Sequence, residues 1–321
     1  MITDNLFDNV LVNPVVDQNA NTLYIVSGYS TPAMVFNHFE RLREMRRDIT
    51  VHLLIGMAPL DGITRRNHDA FKQLMNQDLS EKFYCSYLSN MPAVHSKLYM
   101  WYRHDEPIVG FIGSANYTQR AFKGIVQNEA LDNISPVEGK GYFDLLASRS
   151  VFCIHDDAEL LAFATTPITP EQRQTTLPTD VIGLESQVVS LLNYRGEVSR
   201  SSGLNWGQRL RREPNQAYIP LKAEVVRSSF FPPRGQHFTV YTDDSRILIC
   251  SRAQGDDEGK AIHTPHNNSL LGLYFRHRLG LQSGAYVALS HLESYGRTDV
   301  TFYKIDEESY YMDFSVPHVA T

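Results

Sequence analysis

The chain has 321 residues, 42% of them hydrophobic and 21% charged, with a formal net charge of −6. This is a globular composition long enough for two cores, and no apolar run reaches the about 18 residues that a membrane-spanning helix needs. A net acidic chain does not coat nucleic acid indiscriminately, but the charge is uneven: residues 201–321 hold 13 Lys/Arg and 13 Asp/Glu, so the whole acidic excess lies in 1–200 and DNA binding would rest on local basic patches in the C-terminal part.

The N-terminus, MITDNLFDNVLVNP, lacks the basic start and continuous apolar stretch of a secretory signal. The three cysteines, Cys85, Cys153 and Cys250, are odd in number and far apart. Both features fit a reducing cytoplasm rather than a disulfide framework or a zinc knuckle. LYIVSGYS (23–30) predicts an apolar strand ending in small residues, PAMVFNHFERLREM (32–45) a helix, DITVHLLIGM (48–57) a strand, and TRRNHDAFKQLMNQD (64–78) a helix. KFYCSYLS, VHSKLYMWYR and IVGFIGSAN read as strands, YTQRAFK as a turn or helix start, and FDLLASRSVFCIHDDAELLAFATT as a strand or short element followed by a helix. Strands alternating with helices predict an α/β sandwich over 1–165.

TTPITPEQRQTTLPTD (165–180) has linker composition, and VIGLESQVVSLLN (181–193) reads as a connecting helix, so 166–195 is assigned as a linker with a helix. From 196 to 321 the strand signals are short and broken by Gly, Pro and Asn: YIPLKAEVV, HFTVYT, RILICSRA, LLGLYFRHRLGL, AYVALSHL and DVTFYKI. They predict an all-β barrel or sandwich, with one helical turn around 268–279.

Four polar residues in the first unit are not what sheet packing calls for: His95 and Lys97, then Ser114 and Asn116. Chance supplies about 0.3 His-x-Lys tripeptides in such a composition, so that pair alone decides little; His-x-Lys and Gly-Ser-x-Asn together, each read as lying on a strand, decide much more. Residues i and i+2 of a strand share a face, so each pair is expected to line one patch if the strands are neighbours. A phosphodiester suits such a patch: Lys97 gives a point charge to the non-bridging oxygens, Asn116 amide donors, Ser114 a hydroxyl, and neutral His95 a nitrogen nucleophile. Singly, each residue is compatible with a polar surface ribbon. A two-metal site would need clustered carboxylates, and only Asp105 and Glu106, in the turn between the strands, lie nearby in sequence.

The HSK…GSAN pattern resembles the signature of the phospholipase D superfamily, whose nuclease members use a histidine nucleophile and no metal ion. The resemblance implies His95 as nucleophile, Lys97 and Asn116 as phosphate ligands, Ser114 as a lesser ligand, and Glu129, 13 residues after Asn116, as the acid that orients the histidine. The family often has Asp five residues after the Lys; here that place is Tyr102. Superfamily members with two motifs supply two histidines, one attacking and one acting as general acid. This chain has one motif, and His38, His52, His68, His104 and His155 lack a Lys two residues on. A two-fold homodimer through the N-terminal domain, sharing one site, is therefore expected.

In the second unit Arg209, Arg211 and Arg212 sit among Asn and Gln, the side chains that make bidentate contacts to guanine and adenine. Arg227, Arg234 and Gln236 fall in RSSFFPPRGQHF; His266, Asn267, Asn268, Arg276 and Arg278 fall in HTPHNNSLLGLYFRHRLGL. All eleven are candidate DNA contacts, although arginines of this kind equally make a solvated surface or, as for Arg278, an internal pair. NNSLLGLYFRHRLGL and YGRTDVTFYKID resemble the C-terminal part of restriction endonucleases of the NgoFVII type, which join a phospholipase-D-like nuclease to a B3-like DNA-binding open barrel. By that likeness 227–238 and 263–278 are the two arms that grip the major groove of double-stranded DNA. It implies a cofactor-free restriction endonuclease, with a separately encoded ATPase or helicase-like subunit as a further candidate partner. Two rivals stand beside it: a phospholipase or other phosphodiesterase, for which the sequence shows no basic amphipathic helix, and a DNA-binding protein that has lost its activity.

Overall fold

The computed structural model describes residues 1–123, 127–161, 177–253 and 259–316. The chain divides into two units, Met1–Thr165 and Thr166–Thr321. The first begins with a π-helical turn, Phe7–Val12, and α1 (Asn13–Gln18), which stops at Asn19 with a left-handed φ of 53°. β1 (Thr22–Ser27) leads into α2 (Pro32–Glu44), started by the Thr31 hydroxyl, which accepts from the Met34 N–H at 3.3 Å, and by Pro32 in the first turn. β2 (Thr50–Ile55) is followed by the short α3 (Ala58–Asp61) and by α4 (Arg65–Gln73), which Thr64 caps. Then come β3 (Phe83–Leu88), β4 (Lys97–Arg103), β5 (Glu106–Gly113), α5 (Gln119–Phe122), β6 (Leu131–Ile134), α6 (Pro136–Ala147) and β7 (Ser150–Phe152).

These strands form one sheet of order β6-β5-β4-β1-β2-β3-β7. β1, β2 and β3 are parallel, linked by helical crossovers, and the other pairings are antiparallel. The central strands are almost wholly buried, as strands covered on both faces should be. In FDLLASRSVF, where a strand or short element is expected, FDLLA is instead the end of helix α6 and the strand is confined to β7. The start signal of α6 is Ser135, whose hydroxyl accepts from the Glu138 N–H at 3.4 Å, followed by Pro136. Where a helix is expected after Cys153, the described residues form a 3₁₀ turn, Asp156–Leu160, and the end of the expected helix, from 162, lies outside them. The Thr/Pro-rich stretch over 165–176 lies outside the described residues.

The second unit contains β8 (Ser186–Ser190), β9 (Ile219–Pro220), α7 (Ala223–Arg227), β10 (His237–Thr242), β11 (Ile247–Ala253), β12 (Ala261–His263), α8 (Ser269–Arg278), α9 (Leu289–Tyr295), β13 (Asp299–Lys304) and β14 (Ser309–Asp313). Its sheet runs β8-β13-β14-β10-β11-β12-β9, and the outer strands β8 and β9 approach each other, which makes an open barrel. Phe230, Phe231, Phe238, Phe302 and Tyr310 fill it with edge-to-face and tilted ring contacts.

Three readings are corrected here. The connecting helix expected over 181–193 is strand β8, paired antiparallel with β13; Val188 faces out at 57% exposure and Val189 in at 3%, the period-two pattern of a sheet. LLGLYFRHR carries both a strand signal and the helical turn expected around 268–279, and it is the second that forms: helix α8 buries Leu271, Tyr274 and Phe275 at helical spacing. Gly272 lets this helix lie against the chain at Asn215, whose carbonyl oxygen would sit 1.7 Å from an added Cβ. Strand signals in AEVV and ALSHL likewise became the short helices α7 and α9.

Candidate active site

β4 begins at Lys97 and β5 ends at Gly113, so His95, Ser114 and Asn116 do not lie on strands as their sequence suggests. They lie just beyond the strand ends. Because β4 and β5 run antiparallel with Lys97 opposite Gly113, the entry to one and the exit from the other meet at a single edge of the sheet. β1, antiparallel to β4, ends at the same edge and delivers Ser27 and Gly28 there. The segment before His95 is fastened to the end of β2: the Val94 N–H donates to the Gly56 carbonyl at 2.9 Å, and the Gly56 N–H to the Ser27 carbonyl at 2.8 Å. Gly56 permits this approach, since a Cβ there would meet the Val94 oxygen at 2.2 Å.

His95 and Asn116 converge on Gly28. A Cβ on Gly28 would stand 2.8 Å from His95 Cδ2, 3.2 Å from Asn116 Oδ1 and 3.3 Å from Met57 Cγ. The Asn116 carbonyl oxygen accepts from the Tyr29 N–H at 3.2 Å and from the Ser27 hydroxyl at 3.4 Å, which leaves its NH₂ group as the donor end. The backbone between Ser114 and Asn116 is pinned by the buried Tyr99 phenol, which donates to the Ala115 carbonyl at 2.7 Å. The His95 ring is exposed and meets the Tyr29 ring edge to face, with centroids 5.8 Å apart.

Lys97 and Glu129 form the other side of the cluster. Lys97 is only 5% exposed and its ammonium donates to the His95 carbonyl at 2.5 Å. Burial lowers its pKa, and the negative charge of Glu129 opposes that shift. The Ser114 hydroxyl donates to the Glu129 carboxylate and accepts from the Ala130 N–H at 3.1 Å; Gln127 donates to the other carboxylate oxygen. Within one chain, therefore, Glu129 addresses Ser114 and Lys97, and no hydrogen bond joins it to the His95 imidazole.

The other histidines of the described first unit have different surroundings. His38 is buried, bonded to the Tyr117 phenol at 2.8 Å and the Leu11 carbonyl at 3.0 Å, and burial lowers its pKa to about 4. His52 stacks between Tyr24 and Tyr84, and His68 sits between Tyr87 and Glu159. Among the described residues no group of three or more His, Cys, Asp and Glu side chains is placed to hold a metal ion. Sequence reasoning missed Gly28, Tyr29 and Asp61. The one signal was the run of small residues ending the first predicted strand.

The eleven candidate DNA contacts divide. Arg276 is 1% exposed, and its guanidinium donates to the carbonyls of Ala285, Gly272, Leu204 and Pro214 at 2.7–3.3 Å. This overturns its assignment to DNA: it satisfies backbone oxygens inside the fold. Arg278 is also internal, paired with Asp243 at 2.7 Å and bonded to the Tyr295 phenol at 2.6 Å. Asn268 is held by His263 at 2.7 Å. Arg209, Arg211, Arg227, Arg234, His266 and Asn267 are exposed, and Gln236 is half-buried in the turn that carries Arg234. Arg212, also exposed, lies 4.0 Å over the Trp206 ring.

Among solved structures, NucT from Helicobacter pylori is 14% identical over 47% of this chain and 96% of that one, with a TM-score of 0.34. A polyphosphate kinase from Porphyromonas gingivalis is 14% identical over 49% of this chain and 24% of that one, with a TM-score of 0.30. No curated protein matches. Residues 4–159 match the NgoFVII restriction endonuclease N-terminal PLD domain, and residues 181–306 match the NgoFVII C-terminal B3-like DNA-binding domain. With both domains present in that order, the chain belongs to the NgoFVII family of restriction endonucleases.

Proposed function

We propose that the protein is a site-specific DNA endonuclease that hydrolyses phosphodiesters without a metal ion, through a phosphohistidine on His95. The reading rests on one observation above all: His95 and Asn116, from separate parts of the chain, meet over Gly28 at the sheet edge where Lys97 is also anchored. In this mechanism the imidazole attacks phosphorus while Lys97 and the Asn116 NH₂ hold the non-bridging oxygens. The Lys97 ammonium has already lost most of its water, so little further desolvation accompanies phosphate binding. Ser114 mainly orders Glu129.

The departing alkoxide needs a proton, and the water that later breaks the phosphohistidine needs a base. One imidazole cannot be nucleophile and acid at once. A second copy of His95 across a two-fold axis fills that role, so the homodimer shares one site and cuts the two strands in turn. Glu129, which bonds to Ser114 within its own chain, would then orient the imidazole of the partner. The C-terminal barrel selects the sequence, with Arg234 and the residues around His266 on its arms. Any ATP-driven step belongs to a separate subunit, because the sequence has no G-x-x-x-x-G-K-[ST] loop.

The test is to stop a reaction on end-labelled duplex with alkaline denaturant and look for label attached to the protein. Wild type should yield the adduct and His95→Ala none. An adduct that persists in His95→Ala, or cleavage by that variant, would overturn the reading.

A further inference from the structure

We propose that Tyr29, anchored by Asp61, is a positioning residue that fixes the His95 imidazole; this rests on the reading of His95 as the nucleophile. Tyr29 lies two residues beyond β1. Its N–H is bonded to Asn116 at 3.2 Å, and its phenol donates to the carboxylate of Asp61, the last residue of α3. The residue is therefore tied at its backbone and at its phenol, although it is 42% exposed. Between those ties its ring stands at 77° to the His95 ring, 5.8 Å away.

The imidazole itself has no hydrogen bond to any described residue of its own chain. What limits its two torsions is packing against Gly28 and the edge contact with Tyr29. A nucleophile must be held in near-attack geometry, and a misplacement of about 1 Å costs on the order of 100-fold in rate. The phenol proton is engaged by Asp61, and that bond raises the Tyr29 pKa. The same tyrosine orients Asn116 through its backbone, so one short turn aligns the attacking nitrogen and an amide that holds the phosphate.

The experiment measures kcat and KM of the full chain on cognate duplex. Tyr29→Ala should lower kcat about 10- to 100-fold with KM changed less than about threefold. Tyr29→Phe keeps the ring and should recover most of that loss. Asp61→Ala removes the same bond as Tyr29→Phe, so the double variant should be no slower than the slower single one. In parallel, the His95 ring-proton resonance, assigned with His95→Ala, should move in Tyr29→Ala as the ring-current contribution disappears. A wild-type kcat in Tyr29→Ala, or an unmoved resonance, overturns the proposal. A wild type without His95-dependent cleavage would overturn the nucleophile reading instead, and the resonance would still decide whether Tyr29 holds the imidazole.

Discussion

Gly28 gives His95 and Asn116 the space in which they meet. Its backbone is not in the left-handed region, so alanine is excluded there by neighbours and not by φ. A methyl group 2.8 Å from the imidazole must push it aside, and the exposed ring can move because it has no hydrogen bond to resist. Gly28→Ala is thus expected to lower kcat at least about 10-fold while the melting temperature stays within about 2 °C; thermal melting beside steady-state rates checks it, and unchanged kcat would show that the contact does not matter. This scale also shows what the sequence carried. His95, Lys97, Ser114 and Asn116 were legible because each pair has tight spacing. Gly28, Tyr29 and Asp61 were not, because their part in the site comes from the meeting of β1, the α3 turn and the entry to β4, and no local pattern encodes that meeting.

Among the elements, strands with strong apolar or β-branched character formed where their composition put them, β1 to β5, β10, β11 and β13, but β1, β4 and β5 are shorter than expected at the end where Tyr29, His95, Ser114 and Asn116 lie. Errors gathered where short apolar runs fit either period. LLGLYF gives a strand signal because it is apolar and aromatic, beside the helical turn expected around 268–279; what favours the helix is its packing on the barrel core and the approach of Gly272 to backbone, a long-range fact. Strand β8 was misread in the opposite sense, since its edge position leaves only Val189 clearly inward. Arg276 follows from the strand signal over α8. On a strand or loop it would have pointed to solvent; on the helix it turns inward and bonds four carbonyls. Arg276→Ala would remove those four bonds from the buried interior and cost about 2–4 kcal/mol, lowering the melting temperature by roughly 5–10 °C. Arg234→Ala, on an exposed turn, should lower melting far less than Arg276→Ala and weaken cognate DNA binding by about 1–3 kcal/mol. Thermal melts and titrations of both variants check the pair, and the opposite assignment of effects would refute it.

At the scale of the molecule, a sheet with helical crossovers carries the candidate site and an open seven-stranded barrel carries the DNA-binding family match. The proposed chemistry has one demand that neither unit meets alone: a second imidazole. Under the proposed mechanism a single His-x-Lys motif calls for two chains, and such a dimer would bring two recognition modules to one shared cutting site. The most direct test of this account is digestion of a mixed-sequence plasmid in excess EDTA by wild type and by His95→Ala. The account predicts discrete fragments from wild type in EDTA and none from the variant; cleavage abolished by EDTA and restored by Mg²⁺ would contradict it.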